Sequence, residues 1–93
     1  MDWFIVLEEE DQAFIRQFVL ASGSLKQLAK VYGVSYPTVR IRLDKIIQKI
    51  QLTEEQGKNH FEVKIMQMVI DGKISLEIGK EIIEQYKEEI ADA

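Results

Sequence analysis

The stretch SLKQLAKVYGVSYPTVRIRLDKIIQKI, residues 24–50, decides the fold. Ser24 is a residue type that caps a helix start, and Gln27 three positions later completes a capping-box pattern. Leu25, Leu28, Ala29 and Tyr32 mark the buried side of the helix that follows. Gly33 supplies the turn, where a positive φ is cheap only for glycine, and Val34 is placed to plug the angle beyond it. Ser35 caps the next helix, with Pro37 in its first turn, where a missing N–H costs nothing. Stepping 100° per residue, Val39, Leu43, Ile46, Ile47 and Ile50 fall within about 100° of one another, the width of a core-facing stripe. Thr38, Ile41, Arg42, Lys45 and Gln48 lie on the far side. This spacing predicts a helix-turn-helix whose second helix offers an open outer face.

Charge is segregated along the chain. Lys26, Lys30, Arg40, Arg42, Lys45 and Lys49 against Asp44 give this segment a net +5, whereas residues 1–23 carry −4 and residues 51–93 carry −5. The whole chain is −4, with an isoelectric point near 5.0, which by itself argues against a polyanion partner. A basic helix pair inside an acidic chain reverses that inference locally and is the footprint of a nucleic-acid reader. The second helix can then enter a major groove. Ser35 and Thr38 are placed at its start to meet phosphates or base edges, and Tyr36 to lie along a phosphate or sugar. Arg42 is the candidate for a bidentate contact with guanine, and Ile41 for a thymine methyl. Arg40, Lys26, Lys30, Lys45 and Lys49 are assigned to the phosphate backbone. Ile41 equally fits a protein interface.

Outward from this core, residues 8–22 predict an N-terminal helix. Glu8, Glu9, Glu10 and Asp11 crowd its first turn, where carboxylates favour the positive end of the helix dipole. Leu7, Phe14, Ile15, Phe18, Val19 and Ala21 form its apolar stripe, and Gly23 follows as a left-handed cap. Trp3 to Leu7 is an apolar arm, read either as a short strand pairing with its copy or as an arm filling a groove. Beyond the core, residues 52–58 read as a polar linker or a frayed helix start. Asn59 caps a helix through Ile70 that is apolar around most of its circumference. Asp71-Gly72-Lys73 makes a turn, and Ser75 caps a last helix with Ile78, Ile82, Ile83, Tyr86 and Ile90 on its buried side. The fold class is therefore all-α. Residues 1–52 form a trihelical helix-turn-helix domain with its arm, and residues 53–93 a C-terminal αα-hairpin. A small chain with so apolar a fourth helix predicts a homodimer, the hairpin being its oligomerisation element.

ASGSLKQLAKVYGVSYPTVRIRLDKIIQKI resembles the core of a prokaryotic domain-of-unknown-function family of helix-turn-helix proteins presumed to bind DNA. Many members of that family carry an N-terminal zinc ribbon; this chain has no cysteine, and that metal site does not carry over. More distantly, SLKQLAKVYGVSYPTVRIRLDKI is similar to the DNA-binding segment of the Fis family. That similarity implies that Ser35, Tyr36, Thr38, Arg40 and Arg42 sit at the DNA, and it also implies dimerisation.

Catalysis finds no support in the residue types. His60 is the only histidine and lacks the companions that metals need. The serines are accounted for by helix ends, and the glycines are scattered rather than gathered into a phosphate loop. No cofactor, metal, membrane or small-molecule partner is expected, and the absence of cysteine fits a cytoplasmic protein. The expected partners are double-stranded DNA and a second copy, in a transcriptional regulator. The rival reading is a protein-interaction module in which the same helix pair docks an acidic partner. The acidic remainder of the chain favours this rival insofar as it repels phosphate.

Overall fold

Side-chain caps set where the helices begin. In the computed structural model, which describes residues 2–54 and 59–92, the described residues form six helices and no strand. These are α1 (Trp3–Val6), α2 (Glu9–Leu20), α3 (Leu25–Tyr32), α4 (Tyr36–Glu54), α5 (His60–Ile70) and α6 (Leu76–Asp92). Ser24 Oγ accepts from the Gln27 amide at 3.1 Å, Asn59 Oδ1 from the Glu62 amide at 2.8 Å, and Ser75 Oγ from the Ile78 amide at 3.1 Å. Each satisfies one of the donors that a helix start leaves without a partner. Gly33 adopts φ +65° between α3 and α4. The N-terminal helix stops at Leu20, earlier than the spacing predicts, because Ser22 and Gly23 both turn left-handed.

The first core forms where α2, α3 and α4 cross, around Leu7, Phe14, Leu28, Ala29, Val39 and Ile46. Leu43 and Ile50 pack against its edge, as the α4 stripe requires. Val19 and Leu20 are exposed, so the apolar stripe of α2 is narrower than its sequence suggests. Tyr32 and Val34 are also half open rather than buried.

A second cluster of Val6, Leu52 and Val63 joins α1, α4 and α5. Here two expectations are corrected. The arm is no strand: Asp2 caps it as one helical turn, and Gln12 Nε2 donates to the Phe4 carbonyl at 2.8 Å. Lys64 Nζ donates to the Val6 carbonyl, so the arm is consumed by its own chain. The linker expected from residue 52 does not start there either. Leu52 and Thr53 are buried residues of α4, and the Thr53 hydroxyl donates back to the Lys49 carbonyl at 2.9 Å. The boundary placed after residue 52 thus falls within a helix, and the remainder of that linker, residues 55–58, lies outside the described residues.

The hairpin closes through a tight contact. Gly79 of α6 is buried, and a Cβ there would come within 2.6 Å of Val69 Cγ2 on α5. Phe61 stacks on Tyr86 with ring centroids 4.2 Å apart, and Lys87 reaches the buried Glu62 at 3.7 Å. α6 packs chiefly on α5, which leaves the molecule elongated at 51 × 25 × 18 Å. No helix among the described residues is long and apolar enough to cross a membrane.

Gly79 yields a stability prediction. Val69 is β-branched and stiff, so it yields poorly to a new side chain. Overpacking costs about 1–3 kcal/mol, partly offset by the ~1 kcal/mol that a helix gains when glycine is replaced. Gly79→Leu should lower the thermal midpoint, and by more than Gly79→Ala, in melts followed by circular dichroism.

Candidate nucleic-acid interface

The predicted reader residues all sit on or beside α4, but they do not form one surface. Thr38, Ile41, Arg42 and Lys45 come together along one groove. Ser35 and Thr38 close the start of α4: their hydroxyls are 2.8 Å apart, and Ser35 Oγ accepts from the Thr38 amide at 3.4 Å. Tyr36 is exposed beside them, and Lys26 and Lys30 are exposed on α3.

At about 100° per residue, Ile41 and Gln48 mark the middle of the outward side of α4. Arg40 lies at one edge of that side and Lys45 at the other. Ile41 is 58% exposed. Arg40 makes an i,i+4 pair with Asp44 at 3.3 Å, both side chains about half open. An exposed pair of this kind is weak and readily exchanged for another anion. From Lys49 onward α5 packs on the flank that Lys45 leaves open, while Ile47, Gln48, Gln51 and Glu54 keep the outward side of α4 exposed to its end.

Lys49 is the correction of most consequence. It was assigned to phosphate, yet its side chain is 2% exposed. Its Nζ donates to Asp11 Oδ2 at 2.6 Å and to Asp71 Oδ2 at 2.8 Å. Arg42 donates to the other oxygen of Asp11, from Nη2 at 2.8 Å and from Nε at 3.2 Å, and lies 5.8 Å from the centre of the Phe14 ring. A side-on bidentate guanine contact through Nε and Nη2 of Arg42 would have to break both bonds. Arg42 and Lys49 are seven residues apart and share one helix face, which is how a single carboxylate two helices away reaches both. Asp11 and Asp71, which decide where these two cations point, are the residues that the sequence reading missed. Asp11 looked like one more first-turn carboxylate, and Asp71 like an ordinary turn residue.

The electrostatics of Lys49 follow from this cage. Burial pushes its ammonium towards the neutral form, but the hydrogen bonds and charges of Asp11 and Asp71 outweigh burial. Its pKa is raised above the ordinary 10.5.

Residues 7–53 match the family model described as "Domain of unknown function (DUF2089)-HTH", and residues 61–89 match one described as a SHOCT-like domain. No curated protein and no solved structure matches the chain.

Lys49→Met keeps the volume but takes the cation from Asp71 and from one oxygen of the buried Asp11, whose other oxygen stays on Arg42. Removing one partner of a buried pair costs about 3–5 kcal/mol, and urea unfolding at neutral pH should register a loss of that order. The pH dependence has a fixed sign. A folded-state pKa raised above the unfolded value stabilises fully below 10.5 and is lost as pH rises through the folded value. The gap between wild type and Lys49→Met should therefore be constant from neutral pH to about 10 and narrow above it. A gap that stays constant through strong alkali would contradict the cage.

Proposed function

Since the chain belongs to the DUF2089 family, with its helix-turn-helix region over residues 7–53, we propose that it binds double-stranded DNA through the outward face of the first half of α4, as a non-enzymatic, cytoplasmic regulator of transcription. One observation carries this reading: an outward helix face with a cation at each edge, Arg40 on one side and Lys45 on the other. A helix lying in a major groove meets a phosphate backbone along each of its sides, and this is the charge arrangement it needs. Exposed Lys26 and Lys30 on the preceding helix extend the phosphate-contacting surface. Ser35, Tyr36 and Thr38 stand at the helix start, where DNA-reading helices of this motif make their base contacts.

The reading assigns roles that differ from residue to residue. Arg40 and Lys45 neutralise phosphate and give salt-dependent affinity. Thr38 and Ile41 face the bases. Arg42 stays on Asp11 and fixes the seat of α4 against α2, and Lys49 makes no contact with DNA at all.

Fluorescence anisotropy with labelled duplexes across a salt series tests these roles. Arg40→Ala and Lys45→Ala should each weaken binding to all sequences and reduce the slope of log affinity against log salt by about 1. If no duplex binds at low salt, or if neither slope changes, the interface is wrong.

A further inference from the structure

The DNA reading leaves one feature of the same face unused. Between α2, the end of α3 and the first half of α4 lies a groove of about 590 Å³. Phe14 and Val39, both buried, form its floor, while Tyr32, Val34 and Ile41, each 42–58% exposed, form its walls. Lys45 and Arg42 stand on its rim, Arg42 being bonded to Asp11 and 4.0 Å from Glu10, the one acid of the lining. A duplex offers little beyond thymine methyls to an apolar concavity. Apolar walls with a cationic rim instead suit an acidic amphipathic helix laid in the groove.

The chain carries such a helix. α6 holds six acids and two lysines, a net −4. It packs chiefly on α5, and Leu76 is about half exposed, as are Ile78 and Ile90, which the spacing places on the buried side. Ile78, with Ile82 one turn on, makes an apolar edge flanked by Glu77 and Glu81. Two α6 helices laid together would set acid against acid, so charge disfavours pairing of hairpin with hairpin. It favours α6 against the cationic groove instead. The close Gly79–Val69 contact holds α6 on its own α5, so the occupant comes from another molecule.

We infer that α6 of a second copy docks in the groove formed by α2, α3 and α4, so that the chain associates with itself through groove and helix. Because Thr38, Ile41 and Lys45 line that groove, a docked α6 covers these DNA-facing residues. Self-association and DNA binding then exclude each other. The association stands on its own; only the competition rests on the DNA reading.

Sedimentation equilibrium of the full chain over a wide concentration range tests it. The wild type should associate, more weakly at high salt. Ile41→Glu, which blocks the groove, and Ile78→Glu, which blocks the helix, should each weaken association by about tenfold or more. Mixing the two variants should restore a pair, since one intact groove meets one intact α6. Both positions are solvent-facing, and circular dichroism melts confirm that the variants fold. As a second route, the chain has no cysteine, so an Ile41→Cys copy mixed with an Ile78→Cys copy should form a disulfide-linked pair on oxidation. A wild type that stays monomeric throughout overturns the inference. So does an Ile41→Glu variant that associates normally, or a mixture that fails to pair. Ile78→Glu should also bind duplex DNA more tightly than wild type. If α6 docks but no duplex binds, the self-association stands and the DNA reading alone falls.

Discussion

Lys49 carries the architecture. An ammonium removed from water is costly unless its charge is answered at close range. Two carboxylates answer it here, one from the start of α2 and one from the turn between α5 and α6. Those carboxylates are 38 and 22 residues away in sequence, on opposite sides of the segment that contains α4. The requirement to neutralise one buried cation therefore fixes α2, α4 and the hairpin relative to one another. Apolar contacts between Val6, Leu52 and Val63 add affinity at the same junction but no direction. The two matched regions, 7–53 and 61–89, are thus joined by a polar lock as well as by packing.

The lock also shapes the surface. Arg42 and Lys49 lie on the same flank of α4 as Thr38 and Lys45, and Asp11 draws both inward. Of the six cations that made residues 24–50 stand out, Lys49 is buried between two carboxylates, Arg42 is held by Asp11, and Arg40 pairs with Asp44 at the surface. What stays open is a helix face edged by Arg40 and Lys45, with an apolar groove beside it. A trihelical core this small has no further element to cover Tyr32, Val34 and Ile41, and so the same few residues serve two kinds of contact.

Much of the fold was legible because its signals are local. Ser24, Asn59 and Ser75 each act within three residues, and Gly33 and Gly72 act at their own φ angles. The stripe of Val39, Leu43 and Ile46 could be read from spacing alone. The site was less legible. A lysine at the margin of an apolar stripe looks the same in sequence whether it meets solvent or a carboxylate 38 residues away. The arm from Trp3 to Leu7 was ambiguous for a related reason: five apolar residues favour burial without stating against what. Asp2 as a cap and Lys64 as the donor to the Val6 carbonyl decide it, and only the second of these is remote.

Membership of the DUF2089 family and an all-helical helix-turn-helix fold leave the nucleic-acid contact as the central functional claim. Titration of the isotopically labelled full chain with duplex DNA, followed by amide chemical shifts, tests it most directly. The account predicts perturbations concentrated on Lys26, Lys30 and residues 35–45, with Lys49 unmoved and shifts on α6 only as the duplex displaces it from the groove. Perturbations centred on the hairpin, or none on α4 at any duplex concentration, would contradict it.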